Sequence, residues 1–230
     1  MRKTREYQAL FEACSQEGCP ICRLALEGTR RYLASWKYDL FTDVSIRGEL
    51  RRTQGFCHRH SWQLANMGAH LQLAQAYRDI VTDAIEQLKR GNDMAAPPSG
   101  SLLRRFFDNR REQQPACPAC VQQAKAEGHL IHTLRKALLE EEFYQHIQAS
   151  DGLCLEHYRL ACELKLPDTP SGDWQSLLRK MQLACLQRLD EQLGEMIRKH
   201  DYRFKDEARG DEMVSWKKAT GLIAGEDDRP

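Results

Sequence analysis

The sequence of 230 residues has no apolar run near the ~20 residues that a membrane-spanning helix needs. Its N-terminus, MRKTREYQALFEAC, also lacks the apolar core of a signal peptide. Net charge is almost absent, since 34 Lys and Arg residues balance 33 Asp and Glu residues to give +1. No overall field therefore attracts nucleic acid or an anionic membrane. We expect a cytoplasmic protein whose partners are proteins rather than membranes or nucleic acid.

Alternation of apolar and polar residues, the mark of a half-buried strand, is missing as well. Helical periodicity takes its place. In residues 174–200 one apolar stripe recurs at threes and fours, with Asp173 as a plausible N-cap. A similar stripe runs through residues 70–90, where Gly91 can end the helix. These patterns predict an all-α protein.

One clear linker divides the chain, because Pro97 and Pro98 cannot continue a helix and the residues around them are small and polar. On either side the sequence repeats: CPIC at 19–22 matches CPAC at 117–120, and Gly55 matches Gly152. We interpret this as an internal duplication. The predicted organisation is a first helical metal-binding repeat at 1–92, a linker at 93–101, a second repeat at 102–204 and a tail with a short helix at 205–230.

The sequence has nine cysteines, an odd number. In the reducing compartment that we expect, this count indicates metal or redox chemistry rather than a disulfide framework. Each half contains Cys-Pro-x-Cys followed, after a spacer of nearly equal length, by Cys-x-x-His. The eight predicted metal ligands are Cys19, Cys22, Cys57, His60, Cys117, Cys120, Cys154 and His157. His60 rather than His58 is assigned because Leu155 stands at the position that matches His58.

Helical geometry explains the spacing. Pro20 and Pro118 fit a first helical turn, which puts the preceding cysteine at the N-cap and the next one a turn later on the same side. Cys57 and His60 share a face if residues 57–66 are helical. Three cysteines and one histidine match tetrahedral Zn²⁺, and four protein ligands leave no open position, so a structural role is expected for two zinc ions per chain. The sequence leaves open whether each site closes within one half or across the two halves.

Other cofactors use related motifs. Covalent c-type haem requires a histidine directly after the second cysteine, where Arg23 and Val121 stand. An iron–sulfur cluster remains an alternative on ligand chemistry. Dithiol exchange of the thioredoxin kind expects strands, which the pattern does not indicate.

Cys14, Cys162 and Cys185 are expected to be core or surface thiols. No catalytic motif is visible, and we therefore favour a protein that is not an enzyme.

These motifs resemble an uncharacterised bacterial and archaeal domain-of-unknown-function family, which is marked by two CPxC…GLCxxH units and a C-terminal KHDYRF segment. Here the units are CPIC with GFCHRH and CPAC with GLCLEH, and KHDYRF spans residues 199–204. The resemblance covers nearly the whole chain and implies the architecture, but no activity. Phe56 stands where the family pattern prefers leucine, and both residues are apolar.

The KHDYRF segment has two interpretations. It is a possible ligand or partner site, in which Lys199 and Arg203 hold an anion and His200 pairs with Asp201. We favour a structural role, in which Lys199 and His200 face the helix dipole and Tyr202 and Phe204 dock the tail onto the bundle. Residues 216–223 suggest a further short amphipathic helix.

The predicted function is a zinc-stabilised interaction or adaptor protein, with an iron–sulfur or thiol-redox protein as the alternative.

Overall fold

The computed structural model describes residues 4–91, 117–164, 173–204 and 206–226. These residues form α-helices joined by turns and 3-10 segments, without a β-strand among them, which confirms the all-α prediction. No helix in the described ranges is long and apolar enough to cross a membrane. The helices are α1 Arg5–Cys14, α2 Pro20–Tyr38, α3 Val44–Arg52, α4 His58–Asn66, α5 His70–Lys89, α6 Pro118–Ala137, α7 Glu141–Ala149, α8 Leu155–Glu163, α9 Trp174–Lys199 and α10 Ser215–Ala224.

Short polar side chains start several of these helices by accepting backbone N–H groups that have no partner within the helix. Thr4 Oγ1 accepts from Tyr7 N at 3.2 Å at the start of α1. Asp43 Oδ1 accepts from the N–H groups of Ser45 and Ile46 at the start of α3. The expected N-cap Asp173 accepts from Ser176 N at 3.2 Å, which confirms where α9 begins.

Most of the apolar stripe of α5 is exposed, although Tyr77 and Ala84 are half-buried. The helix begins and ends as the pattern predicts, and Gly91 follows it with a φ of +71°. However, Leu71, Val81 and Leu88 expose 66%, 55% and 58% of their surface. In α9, by contrast, the stripe from Trp174 to Cys185 is buried. The same periodicity therefore builds a core helix in one case and an exposed apolar ridge in the other.

Duplication is visible in the order and length of the helices. Long, short, short and long helices follow one another twice: α2 to α5 have 19, 9, 9 and 20 residues, and α6 to α9 have 20, 9, 9 and 26. Gly55 and Gly152 occupy equivalent turns, and both have positive φ. The repeat boundaries at 1–92 and 102–204 stay a prediction, and the linker at 93–101 lies outside the described residues.

Two compact units make up the chain, and neither coincides with a repeat. Unit 1 comprises Met1–Gly28 with Ala124–Pro230, and unit 2 comprises Thr29–Gln123. The boundaries fall within α2 and within α6. Each unit consequently contains the N-terminal part of one of these long helices and the C-terminal part of the other.

Each unit has its own hydrophobic core. In unit 1 the ring of Tyr7 lies 5.5 Å from that of Phe143, and Ile131, Leu134 and Met181 are fully buried around them. In unit 2 Trp36 meets Phe56 edge to face at 5.1 Å, above buried Leu33, Leu50 and Leu64. Burial of such side chains contributes about 1.5–3 kcal/mol each before entropy is counted.

Candidate metal centres

The eight predicted ligands come together as two quartets. Site 1 consists of Cys19, Cys22, Cys154 and His157, and site 2 consists of Cys57, His60, Cys117 and Cys120. Within each site the ligand atoms all lie within 4.8 Å of one another. Each quartet combines the CPxC of one repeat with the CxxH of the other. Site 1 lies wholly within unit 1, and site 2 lies wholly within unit 2.

Helix N-termini converge on both sites. Helices α2 and α6 begin at Pro20 and Pro118, immediately after Cys19 and Cys117, as the sequence predicts. Cys57 and Cys154 are the N-caps of α4 and α8. Unpaired backbone N–H groups and the helix dipole make such positions favourable for a thiolate. In site 1 the interaction is direct, because His157 N donates to Cys154 Sγ at 3.4 Å.

A glycine turn places the CxxH cysteine in each repeat. Gly55 and Gly152 have φ values of +99° and +77°, which L side chains rarely adopt. Space is limited as well: a Cβ on Gly152 would lie 3.0 Å from Cys185 Sγ, and one on Gly55 would lie 3.3 Å from the ring of Tyr77. The next residue, Phe56 or Leu153, is buried and anchors the turn. The departure at Phe56 therefore keeps the apolar anchor.

The interatomic distances fit a single ion at each site. A Zn²⁺ ion at about 2.3 Å from sulfur and about 2.0 Å from nitrogen places tetrahedral ligands roughly 3.5–3.8 Å apart. In site 1, Cys22 Sγ lies 3.6 Å from Cys154 Sγ, and Cys19 Sγ lies 3.6 Å from His157 Nδ1. In site 2, Cys57 Sγ lies 3.7 Å from Cys120 Sγ, and the closest nitrogen contact is 3.2 Å. The donor sets therefore suit a tetrahedral soft-to-borderline dication.

The histidines present the same atom in both sites. Nδ1 of His157 faces the three sulfurs of site 1 at 3.2 to 3.6 Å, and Nδ1 of His60 faces those of site 2 at 3.2 to 3.5 Å. His60 is fully buried, whereas His58 is exposed beside Trp62. The structure thus places the histidine selected by the repeat comparison at the site and leaves His58 on the surface.

Electrostatics show why protons and a cation compete for these atoms. Burial and the neighbouring thiols raise the pKa of Cys19 well above its usual range, and the same causes raise the pKa of Cys120 to about 12. Hydrogen bonds from Cys19 and Cys22 lower the pKa of Cys154. Burial lowers the pKa of His157, but hydrogen bonds to Cys154 and Cys22 outweigh it and bring the value to about 11. A bound dication displaces these protons, so metal affinity should fall as pH falls.

Glu127 is a site residue that sequence reasoning missed. Its Oε1 lies 3.5 Å from His157 Nε2, on the side of the ring away from the thiols, and its side chain is only 16% exposed. A carboxylate in this position fixes the ring and its tautomer and raises the basicity of the nitrogen that faces the metal. No motif marks it, because the equivalent residue of the first repeat is Thr29.

The family of unknown function DUF6062 matches residues 7–229, a range that includes all eight residues of the two sites. The chain belongs to this family. No curated protein and no solved structure shows significant similarity to this chain. The match over nearly the whole chain agrees with the predicted membership of a family of unknown function, and it specifies no chemistry for the two sites.

The remaining cysteines lie apart from both quartets. Cys14 and Cys185 are buried, and Cys162 is exposed. Burial raises the pKa of Cys14 to about 12 and also raises that of Cys185, which favours the neutral thiol at both positions. His146 also lies outside the quartets, and its ring stacks on that of Phe11 with the ring centres 4.0 Å apart.

The KHDYRF segment forms ion pairs within the C-terminal region. Lys199 Nζ lies 2.8 Å from Glu212 Oε1, and Arg203 pairs with Asp201 at 2.7 Å. His200 Nδ1 contacts the carbonyl of Met196 at 2.9 Å. Both cations predicted to hold an anion thus face carboxylates, and the ligand or partner site stays a prediction. Tyr202 is 81% exposed, so it does not dock onto the bundle as we expected. Phe204 is half-buried, and the guanidinium of Arg198 lies 4.5 Å from its ring.

The predicted short helix of the tail is α10, Ser215–Ala224. Lys218 Nζ ties this helix to Asp151 with a 3.0 Å ion pair. Asp151 Oδ2 also accepts from Gly18 N at 2.8 Å. Asp151 therefore connects the turn before Cys154, the turn before Cys19 and the tail helix, all within unit 1.

Proposed function

We propose that this protein is a zinc-stabilised helical interaction protein, in which two structural zinc ions hold the helices of units 1 and 2. The convergence of two Cys3His quartets, each with four ligand atoms within 4.8 Å, carries the proposal. Four protein ligands complete a tetrahedral shell and leave no position for a substrate or an activated water. The ions then act by joining helix N-termini that the chain brings together from distant segments.

Zinc is favoured over an iron–sulfur cluster by the compactness of the quartets. The sulfur–sulfur distances of 3.6 Å in site 1 and 3.7 Å in site 2 each match one edge of a tetrahedron of ligands around a single ion. A cluster with several irons and bridging sulfides needs room between its cysteines. Zinc also has no redox chemistry under cellular conditions, which suits a site whose role is to hold helices.

An exposed apolar ridge on α5 supports the interaction role. Its residues follow one another at threes and fours, the spacing of a helix that packs against another helix: Leu71, Ala74, Arg78, Val81, Ile85 and Leu88. All six are exposed. We assign the ridge to a helix of a partner protein, with apolar residues at the same spacing and an acidic residue opposite Arg78.

The proposed compartment is the cytoplasm. All nine cysteines are free thiols in the structure, and only reduced thiolates bind zinc. A reducing compartment keeps the eight ligands in the binding form. The charge balance of +1 gives no reason to assign a nucleic-acid partner.

Elemental analysis of the full chain, purified without oxygen and without added metal, tests the metal assignment. We expect two zinc ions per chain, no inorganic sulfide and no visible absorption. If the chain instead contained iron and inorganic sulfide and absorbed visible light, it would be an iron–sulfur protein. A metal-free chain that is fully folded would overturn both.

A separate comparison tests the ridge. We expect a Val81→Glu/Ile85→Glu variant to keep both zinc ions and its melting temperature, because these side chains are exposed, but to lose the proteins that co-purify with the native chain. Gln87→Glu, on another face of α5, is the matched control and should retain them. The same set of bound proteins for all three chains would exclude the ridge as the interaction surface.

A further inference from the structure

The two sites differ in how far their ligand residues are exposed to solvent. In site 1 all four ligands are buried, and none of Cys19, Cys22, Cys154 and His157 exposes more than 6% of its surface. In site 2 His60 and Cys117 are buried, but Cys57 and Cys120 are partly exposed. Cys57 and Cys120 of site 2 are therefore more accessible to a chelating molecule in solution than any ligand residue of site 1.

The segment that follows α10, Gly225 and Glu226, packs against site 1. Glu226 Oε1 accepts a hydrogen bond from Cys19 N at 3.1 Å. A Cβ on Gly225 would lie 3.9 Å from Cys22 Sγ, which shows that the backbone after α10 runs against that thiol. Departure of the metal from site 1 thus requires this segment to move as well as the ligands.

The residue at the position of Glu127 also differs between the two repeats. Glu127 Oε1 lies 3.5 Å from His157 Nε2, and both side chains are largely shielded from water, so their attraction is little screened. The equivalent position for site 2 holds Thr29, whose buried hydroxyl carries no charge. Carboxylates behind a metal-binding histidine typically contribute 10- to 100-fold in metal affinity.

We infer that site 1 is a permanent zinc site and that site 2 is an exchangeable one, from which zinc passes to and from small thiol-containing chelators. This inference rests on the proposed function, because it requires both quartets to bind zinc. Exchange would proceed by ligand substitution: an incoming thiol would give up its proton as its sulfur binds the ion, and Cys57 or Cys120 would leave the ion and take up a proton. Zn²⁺ keeps its oxidation state throughout. Glu127 acts in site 1 as a positioning residue, through His157.

Site-resolved metal release tests the inference. The full chain loaded with two zinc ions is mixed with excess chromogenic chelator, and released cysteines are trapped with iodoacetamide and identified by peptide mass spectrometry. We expect two phases whose rates differ at least about 10-fold, with Cys57 and Cys120 labelled in the fast phase and Cys19 and Cys22 in the slow one. Equal rates, or the reverse order, would overturn the inference.

Two variants separate positioning from general destabilisation. Glu127→Gln removes the charge at almost constant size and should accelerate release from site 1 about 10-fold while leaving the site 2 phase unchanged. Glu156→Gln, next to His157 but with a 76% exposed side chain, is the control and should change neither phase. If the slow phase were unchanged in Glu127→Gln, Glu127 would not position His157 for metal binding. Fewer than two zinc ions in the native chain would instead refute the proposed function itself.

Discussion

Lys37 and Arg135 occupy equivalent positions of the two repeats, and each donates to a carbonyl at the C-terminal end of the helix that carries the site histidine of its unit. Lys37 Nζ donates to Met67 O at 2.7 Å at the end of α4. Arg135 donates to Ala161 O and Leu164 O at 2.7 to 3.1 Å at the end of α8. A cation there satisfies carbonyls that have no partner within the helix and complements the dipole.

Arg135→Met should destabilise the chain by about 2–3 kcal/mol. The guanidinium is buried, lies 4.4 Å from the ring of Trp174 and makes charge-assisted hydrogen bonds that methionine cannot replace. Equilibrium denaturation of the zinc-loaded protein measures the loss. The control is Arg159→Met, whose side chain is 62% exposed and whose removal should cost less than about 0.5 kcal/mol. Similar losses for the two variants would contradict the capping role.

His60→Ala should release one zinc ion and expose the cysteines of site 2. Because the structure pairs His60 with CPAC, the cysteines that become reactive to iodoacetamide should be Cys117 and Cys120. His157→Ala should in the same way expose Cys19 and Cys22. Peptide mass spectrometry of the labelled variants tests whether each site combines ligands from both repeats. If each site instead closed within one repeat, His60→Ala would label Cys19 and Cys22, and His157→Ala would label Cys117 and Cys120.

His58→Ala is the matched control for the first of these variants. His58 is exposed and outside the quartet, so its replacement should keep two zinc ions and change stability by no more than about 0.5 kcal/mol. Equal loss of metal from His58→Ala and His60→Ala would refute the assignment of the repeated histidine.

Removal of zinc should destabilise the fold cooperatively. A bound ion stabilises by about 4 kcal/mol when free metal exceeds its dissociation constant 1,000-fold, and two sites double this contribution. For a chain of this size, the melting temperature should then fall by more than about 10 °C after equilibrium with a strong chelator. Circular dichroism at helical wavelengths follows the transition, and an unmoved melting curve would show that the sites are not structural.

Gly152→Ala should be destabilising, although alanine is the smallest possible addition. The φ of +77° disfavours an L residue, and the new Cβ would lie 3.0 Å from Cys185. We expect a loss of about 1–3 kcal/mol in chemical denaturation. Gly194→Ala, inside α9 with nothing within 4 Å of the new Cβ, should instead stabilise the protein by about 0.5–1 kcal/mol. A neutral Gly152→Ala would mean that the turn can adopt another backbone conformation.

The sequence alone determined the helical class, the eight candidate ligand residues and the start of helices such as α2 and α9. These features depend on local information: the helical period, the positions of proline and N-cap residues, and spacings of three residues that place two side chains on one face. The repeat added the choice of His60 over His58, because a duplicated position can be compared within one chain.

Only the tertiary structure decided which CPxC meets which CxxH. The two motifs are chemically the same in both repeats, so ligand type and spacing permit closure within a repeat as well as exchange between repeats. The exposure of α5, the contact of Glu127 with His157 and the ion pairs of KHDYRF were likewise decided by the fold. Each depends on which segments, far apart in the chain, pack side by side, and a local residue pattern carries no such information.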